Sequence, residues 1–102
     1  MEAFSALADP TRRRIVEMLA ERELAAGDIA RRFDMTAPAV SQHLKILRTA
    51  ALVRMRRDAQ RRIYALDPAG LVEIDAWLAR YRRYWNIHLD TLERELRTGD
   101  PR

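Results

Sequence analysis

Apolar residues recur along this chain in two rhythms, and the change between them organises it. The first half follows helical spacing. Phe4, Leu7 and Ala8 mark a short opening helix, and Ile15, Met18 and Leu19 share one face of the next. Asp9-Pro10 starts that second helix with an aspartate cap and a proline in the first turn, where its missing N–H costs little. A turn around Glu23 to Gly27 leads into a short helix from Asp28 to Phe33 that buries Ile29, Ala30 and Phe33. After the Asp34-Met35 turn, Thr36 caps a helix running to Ala50, with Pro38 in its first turn. At 100° per residue, Val40, Leu44, Leu47 and Ala51 fall within one narrow arc that faces the core.

From Val53 the period drops to two. Val53 and Met55 alternate with Arg54 and Arg56, and Arg61 to Leu66 reads as a returning strand after Asp58-Ala-Gln60. Asp67-Pro68 repeats the cap-and-proline signal and opens a last helix that runs to about Leu96. The expected fold is mainly α, an α+β winged helix-turn-helix: four helices, a two-stranded β wing and a long C-terminal helix. With 102 residues and 48% hydrophobic content, the chain suits one domain with a small core. Residues 1–97 should form it, and residues 98–102 should be a frayed tail.

The outward face of the Thr36–Ala50 helix carries Pro38, Ser41, Gln42, Lys45 and Thr49. These side chains offer hydrogen bonds and a cation with little bulk. Such a helix can enter a DNA major groove, where glutamine reads adenine edges and serine bonds bases or phosphate. Any surface helix is polar outside, so this face alone decides little. The hairpin beside it adds Arg54, Arg56, Arg57, Arg61 and Arg62 around one turn, with Asp58 the single acid among them. An edge strand carries charge to resist aggregation, but mixed signs and lysine would serve that end. Five arginines on one ribbon suit phosphate or the minor groove. Ala39, Ser41, Gln42 and Lys45 are therefore expected to face the groove. Thr36, His43, Arg56, Arg57, Arg61 and Arg62 should set register on the phosphate backbone.

The last helix carries Leu71, Ile74, Leu78, Tyr81, Trp85, His88 and Leu92 at alternating steps of three and four. Trp77, Tyr84, Leu89 and Leu96 widen that stripe. A domain this small cannot cover so much apolar surface. The expected cover is a second copy, making a homodimer through Phe4, Leu7, Leu78, Tyr81, Trp85, His88 and Leu92. Trp77, Tyr81, Tyr84 and Trp85 could instead line a small-molecule pocket, although aromatics at helical spacing more commonly pack.

Composition narrows the classes. The net charge of +4 and a pI near 10.3 favour polyanionic partners. Among 19 basic residues only Lys45 is lysine, a bias that genome composition alone can produce, so placement outweighs number. The chain has no cysteine, which removes disulfides and thiolate metal sites. It shows neither a signal-peptide pattern at its start nor an apolar run of about 18 residues, so a cytoplasmic protein is expected. No Ser/His/acid set, metal motif or glycine-rich phosphate loop supports an enzyme, and no cofactor is implied.

Two segments resemble the ArsR/SmtB family of bacterial transcriptional repressors. One is Ala6-Leu-Ala-Asp-Pro-Thr-Arg-Arg-Arg-Ile-Val-Glu-Met-Leu19; the other runs from Val40-Ser-Gln-His-Leu-Lys-Ile-Leu through Arg61-Arg-Ile-Tyr64. The resemblance implies a homodimer built on the first and last helices, a pseudo-palindromic operator in double-stranded DNA, and repression relieved by an effector. Many members sense metals through a Glu-Leu-Cys-x-Cys-Asp-Leu motif. Here Glu23-Leu-Ala-Ala-Gly-Asp-Ile29 puts Ala25 and Gly27 at the two cysteine positions. A second family metal site on the last helix would need another histidine beside His88, Asp90 and Glu93. The likeness is therefore to the cysteine-free, non-metal branch, with a small-molecule effector a possible partner. The wing turn also lacks the usual glycine. The competing expectation is a winged-helix protein-interaction module with weak DNA binding.

Overall fold

The computed structural model describes residues 2–98. Its helices are α1 (Glu2–Leu7), α2 (Pro10–Glu21), α3 (Ala26–Arg32), α4 (Ala37–Thr49) and α5 (Pro68–Thr98). Its strands are β1 (Leu24–Ala25), β2 (Val53–Asp58) and β3 (Arg61–Leu66), forming an antiparallel sheet in the order β1-β3-β2. The order is that of a winged helix-turn-helix domain with a long C-terminal helix.

The caps act as their sequences suggest. Asp9 Oδ2 accepts the Arg12 N–H at 3.0 Å, Thr36 Oγ1 accepts the Ala39 N–H at 3.3 Å, and Asp67 Oδ1 accepts the Ala69 N–H at 3.0 Å. Each satisfies a backbone donor that the first helical turn leaves free. Ile15, Ile29, Leu44, Leu47, Leu52 and Val53 form the fully buried centre of the core. Ala30 and Phe33 are only half-buried, so Ile29 alone anchors α3 fully.

Three expectations need correction. The wing sheet has three strands, because Leu24 and Ala25 pair with Tyr64 and Ile63 of β3 where a turn was expected. As a result α3 starts at Ala26, two residues early. The third concerns Ala51, which lies beyond α4 with φ +58°, so the arc drawn through it overshoots the helix. The Leu52 N–H donates to the Leu47 carbonyl and the Ala51 N–H to the Arg48 carbonyl, both at 3.0 Å. That pair of bonds is a Schellman C-cap, closed by buried Leu47 and Leu52, with alanine where glycine normally stands.

The start of α5 is fastened to this cap through backbone alone. The Asp67 N–H donates to the Leu52 carbonyl at 2.9 Å and the Gly70 N–H to the Ala51 carbonyl at 2.7 Å. Beyond that junction α5 packs mainly on α1, with the Phe4 ring edge-on to Trp77 at 5.1 Å and Tyr81 4.8 Å from Trp77. Its 31 residues span about 46 Å. Every described side chain from Tyr81 to Arg97 is exposed. Thr98 ends the helix, and the remaining residues of the expected frayed tail, 99–102, lie outside the described residues.

Candidate nucleic-acid interface

Burial of Val40, Leu44 and Leu47 fixes the rotation of α4 and turns Ser41, Gln42, Lys45 and Thr49 outward. The side chains of Ser41, Gln42 and Lys45 make no hydrogen bond or ion pair with any described residue. Thr36 is exposed but already spends its hydroxyl on the cap. Ala39 is half-buried.

His43 sits differently. It is half-buried, with Nδ1 accepting from Arg12 Nη1 at 3.3 Å and lying 3.9 Å from Asp9 Oδ2. The Arg12 N–H cap does most to hold the Asp9 carboxyl below its usual 3.8; burial opposes it, and the nearby Arg12 charge adds to the lowering. Arg12 also donates through Nε to the Ala6 carbonyl at 2.6 Å and through Nη2 to the Ser5 carbonyl at 3.4 Å. Arg13 donates to the Leu7 carbonyl at 2.9 Å. These arginines satisfy the carbonyls that α1 leaves open at its C-terminus. One small network thus joins α1, the cap of α2 and α4. No sequence signal marks this role of Arg12 and Arg13, because their partners are set by tertiary packing.

The wing arginines divide by face. Side chains alternate along each strand, and directly paired residues share a face. The register pairs Arg57 with Arg62 and Met55 with Tyr64, so both arginines lie on the face of buried Tyr64. Arg54, Arg56 and Arg61 lie on the other face. There Arg56 Nη2 donates to Glu23 Oε1 at 2.5 Å, which raises the Arg56 pKa above its ordinary range. Arg61 Nη2 lies 3.5 Å from Asp28 Oδ2, and Asp28 also pairs with Arg31. Glu23 and Asp28 were invisible as wing partners in the sequence, where Asp58 was the only acid nearby. Arg54, Arg57 and Arg62 make no ion pair among the described residues. Arg57 and Arg62 stand directly opposite each other and exposed, a like-charge pairing that costs stability unless a polyanion compensates it. The tip has no glycine, and Ala59 takes φ +58° in its place.

A short polar helix beside a basic β-ribbon, on this element order, defines a winged helix-turn-helix DNA-binding protein. Residues 9–54 match the model of the arsR family of bacterial regulatory proteins. The HTH-type transcriptional regulator Rv2034 of Mycobacterium tuberculosis is 53% identical over 79 residues, covering 78% of this chain and 74% of that protein. The transcriptional repressor SdpR of Bacillus subtilis is 36% identical over 78 residues, covering 76% of this chain and 87% of that protein. A crystal structure described as a possible transcriptional regulator for arsenical resistance superposes with a TM-score of 0.74. It is 36% identical, over 93% of this chain and 96% of that one.

The chain belongs to the arsR family, as a cysteine-free winged helix-turn-helix regulator of transcription. Members of this family are DNA-binding regulators, not enzymes. Among the described residues no helix is long and apolar enough to cross a membrane, and no group of three or more His, Asp or Glu side chains is placed to hold a metal ion.

Proposed function

We propose that the chain is a homodimeric repressor whose two copies join through α1 and α5 and whose two α4 helices enter successive major grooves of a pseudo-palindromic operator. The observation carrying this reading is the pairing of the polar face of α4 with Arg57 and Arg62 of the wing, none of which has a side-chain partner among the described residues. Gln42, Ser41 and Lys45 read or approach base edges, with Ala39 against the groove floor. Arg57 and Arg62 meet phosphate directly. Thr36 approaches phosphate at the start of α4. Arg56, Arg61 and His43 reach phosphate only by exchanging their present partners Glu23, Asp28 and Arg12.

The apolar face of α5 supports the dimer. Tyr81, Trp85 and Leu92 are 42%, 49% and 51% exposed, too much bare aromatic and aliphatic surface for a lone domain. With Phe4, Leu7, Leu78 and His88 they form the surface a second copy covers. Two-fold symmetry places the half-sites about one helical turn apart, ~34 Å. A signal other than a metal relieves repression, and the name of SdpR as a repressor agrees with that direction of control. The test is fluorescence anisotropy with a duplex from the chain's own promoter region. Gln42→Ala should weaken cognate binding by about 1–3 kcal/mol and spare non-cognate binding. Arg62→Ala should weaken both about equally and lower the salt slope by about 1. Equal losses for both variants on both duplexes contradict this division of roles.

A further inference from the structure

A hollow of about 360 Å³ opens between α3, the first turns of α4 and β3. That volume lies in the range of small-molecule sites. Seven of its ten lining residues are apolar or glycine, among them Ala26, Ala30, Ala37 and Pro38. Small side chains here leave space where larger ones would pack the helix-turn-helix against the wing. The three polar residues in the lining are Ser41, Arg62 and Tyr64. Arg62 is exposed and unpaired among the described residues. Tyr64 is 6% exposed, yet its hydroxyl makes no hydrogen bond to any described residue. A tyrosine hydroxyl with no partner among the described residues is available as a donor to an acceptor in the hollow.

We propose that this hollow is a binding site for a compact amphipathic carboxylate: an apolar ring or short chain against the alanines, and an acid group held by Arg62 and the Tyr64 hydroxyl. The chemistry follows from the lining. A bare phosphate or sugar would leave the alanine wall unused, and a neutral apolar molecule would leave the guanidinium unanswered. The inference rests on the repressor reading for its consequence. Ser41 and Arg62 are groups that reading gives to DNA, so a bound acid occupies them and disfavours the operator complex. Effector and operator then compete for shared side chains, and each lowers the affinity of the other.

The test separates binding from consequence. The full chain carrying ¹³C-methyl alanine is titrated without DNA with 2-naphthoate, with octanoate, and with neutral 2-naphthalenemethanol. The Ala26, Ala30 and Ala37 methyls should shift saturably with one or both acids, and Ala76 and Ala79 on α5 should not. Arg62→Gln, a surface change that leaves the core intact, should weaken the acid by about tenfold or more. The neutral alcohol should bind wild type as weakly as the acid binds that variant, and Tyr64→Phe should fall between. No saturable shift with either acid overturns the proposal. So does saturation reported by Ala76 and Ala79 instead, or affinity indifferent to Arg62→Gln. In a second arm, the acid should raise the apparent Kd for promoter duplex, while Ala30→Leu, which fills the hollow, should resist it. Failure of DNA binding itself would leave the methyl titration readable and would count only against the repressor reading. Binding of the acid with no loss of DNA affinity would overturn the competition.

Discussion

Gly70→Ala isolates what joins α4 to the long helix α5. On propensity alone the change should help, since alanine in a helix is favoured over glycine by about 1 kcal/mol. Space says otherwise. A Cβ at Gly70 would stand 2.6 Å from the Ala51 carbonyl oxygen and 2.9 Å from that of Ala50. Both are backbone atoms at the cap of α4, so no rotamer change relieves the clash, and α5 must move away. Overpacking of this kind costs about 1–3 kcal/mol. The 2.7 Å bond from the Gly70 N–H to Ala51 is lost or stretched, adding about 0.5–1.5 kcal/mol. Less the propensity gain, the net loss is about 0.5–3.5 kcal/mol, or roughly 2–28 °C in Tm for a domain of this size. Urea unfolding followed by circular dichroism, at one fixed protein concentration, reads it directly. The same displacement tilts α5 against α4, so operator affinity should fall further than affinity for non-cognate DNA. A Gly70→Ala variant as stable as wild type, or more so, would refute the close approach and leave helix propensity as the controlling term.

The other predictions concern the cap, the wing tip, the Asp9 network and the dimer face. Ala51→Gly and Ala59→Gly should each stabilise by about 0–1.6 kcal/mol, centred on ~0.8. Relief of the left-handed alanine is worth about 1–2, less about 0.4–1 for the freer unfolded chain; a loss of stability in urea melts would count against these conformations. Asp9 has a depressed carboxyl, so its contribution is present above 3.8 and fades as pH falls through and below that value. Wild type should therefore lose stability relative to Asp9→Asn on acidification, and parallel pH profiles for the two would contradict the cap. Trp85→Glu with Leu92→Glu should shift the dimer to monomer by at least tenfold in sedimentation equilibrium, since two charges would be desolvated at the seam. Unchanged association would place the interface elsewhere.

Periodicity made the helical core readable, and residue chemistry made the caps readable. Val40, Leu44 and Leu47 mark the inward face of α4 because a 3.6-residue repeat has one solution, and Asp9-Pro10, Thr36 and Asp67-Pro68 start helices through local bonds. The features that escaped are those fixed by distant partners. β1 is two residues long and exists only by pairing with Tyr64 and Ile63. The end of α4 was hidden because its left-handed residue is alanine, which carries no glycine signal. Glu23 and Asp28 reach Arg56 and Arg61 across 33 positions, and Arg12 reaches His43 across 31. The sequence therefore presents five equivalent wing arginines, and only the strand register sorts them by face and partner. The apolar stripe of α5 was legible, and so was its excess over what a small domain can cover; which of its residues stay exposed followed only from the packing of α5 on α1.

The central claim is that two copies, joined through α5 and α1, place two helices and two wings on one face of B-form DNA. Hydroxyl-radical footprinting on a promoter fragment, with the bound mass measured by sedimentation, tests it most directly. The expected result is two protomers per site and two protected patches on the same face, about one helical turn apart. A single patch bound by one protomer, or no protection at low salt, would contradict it.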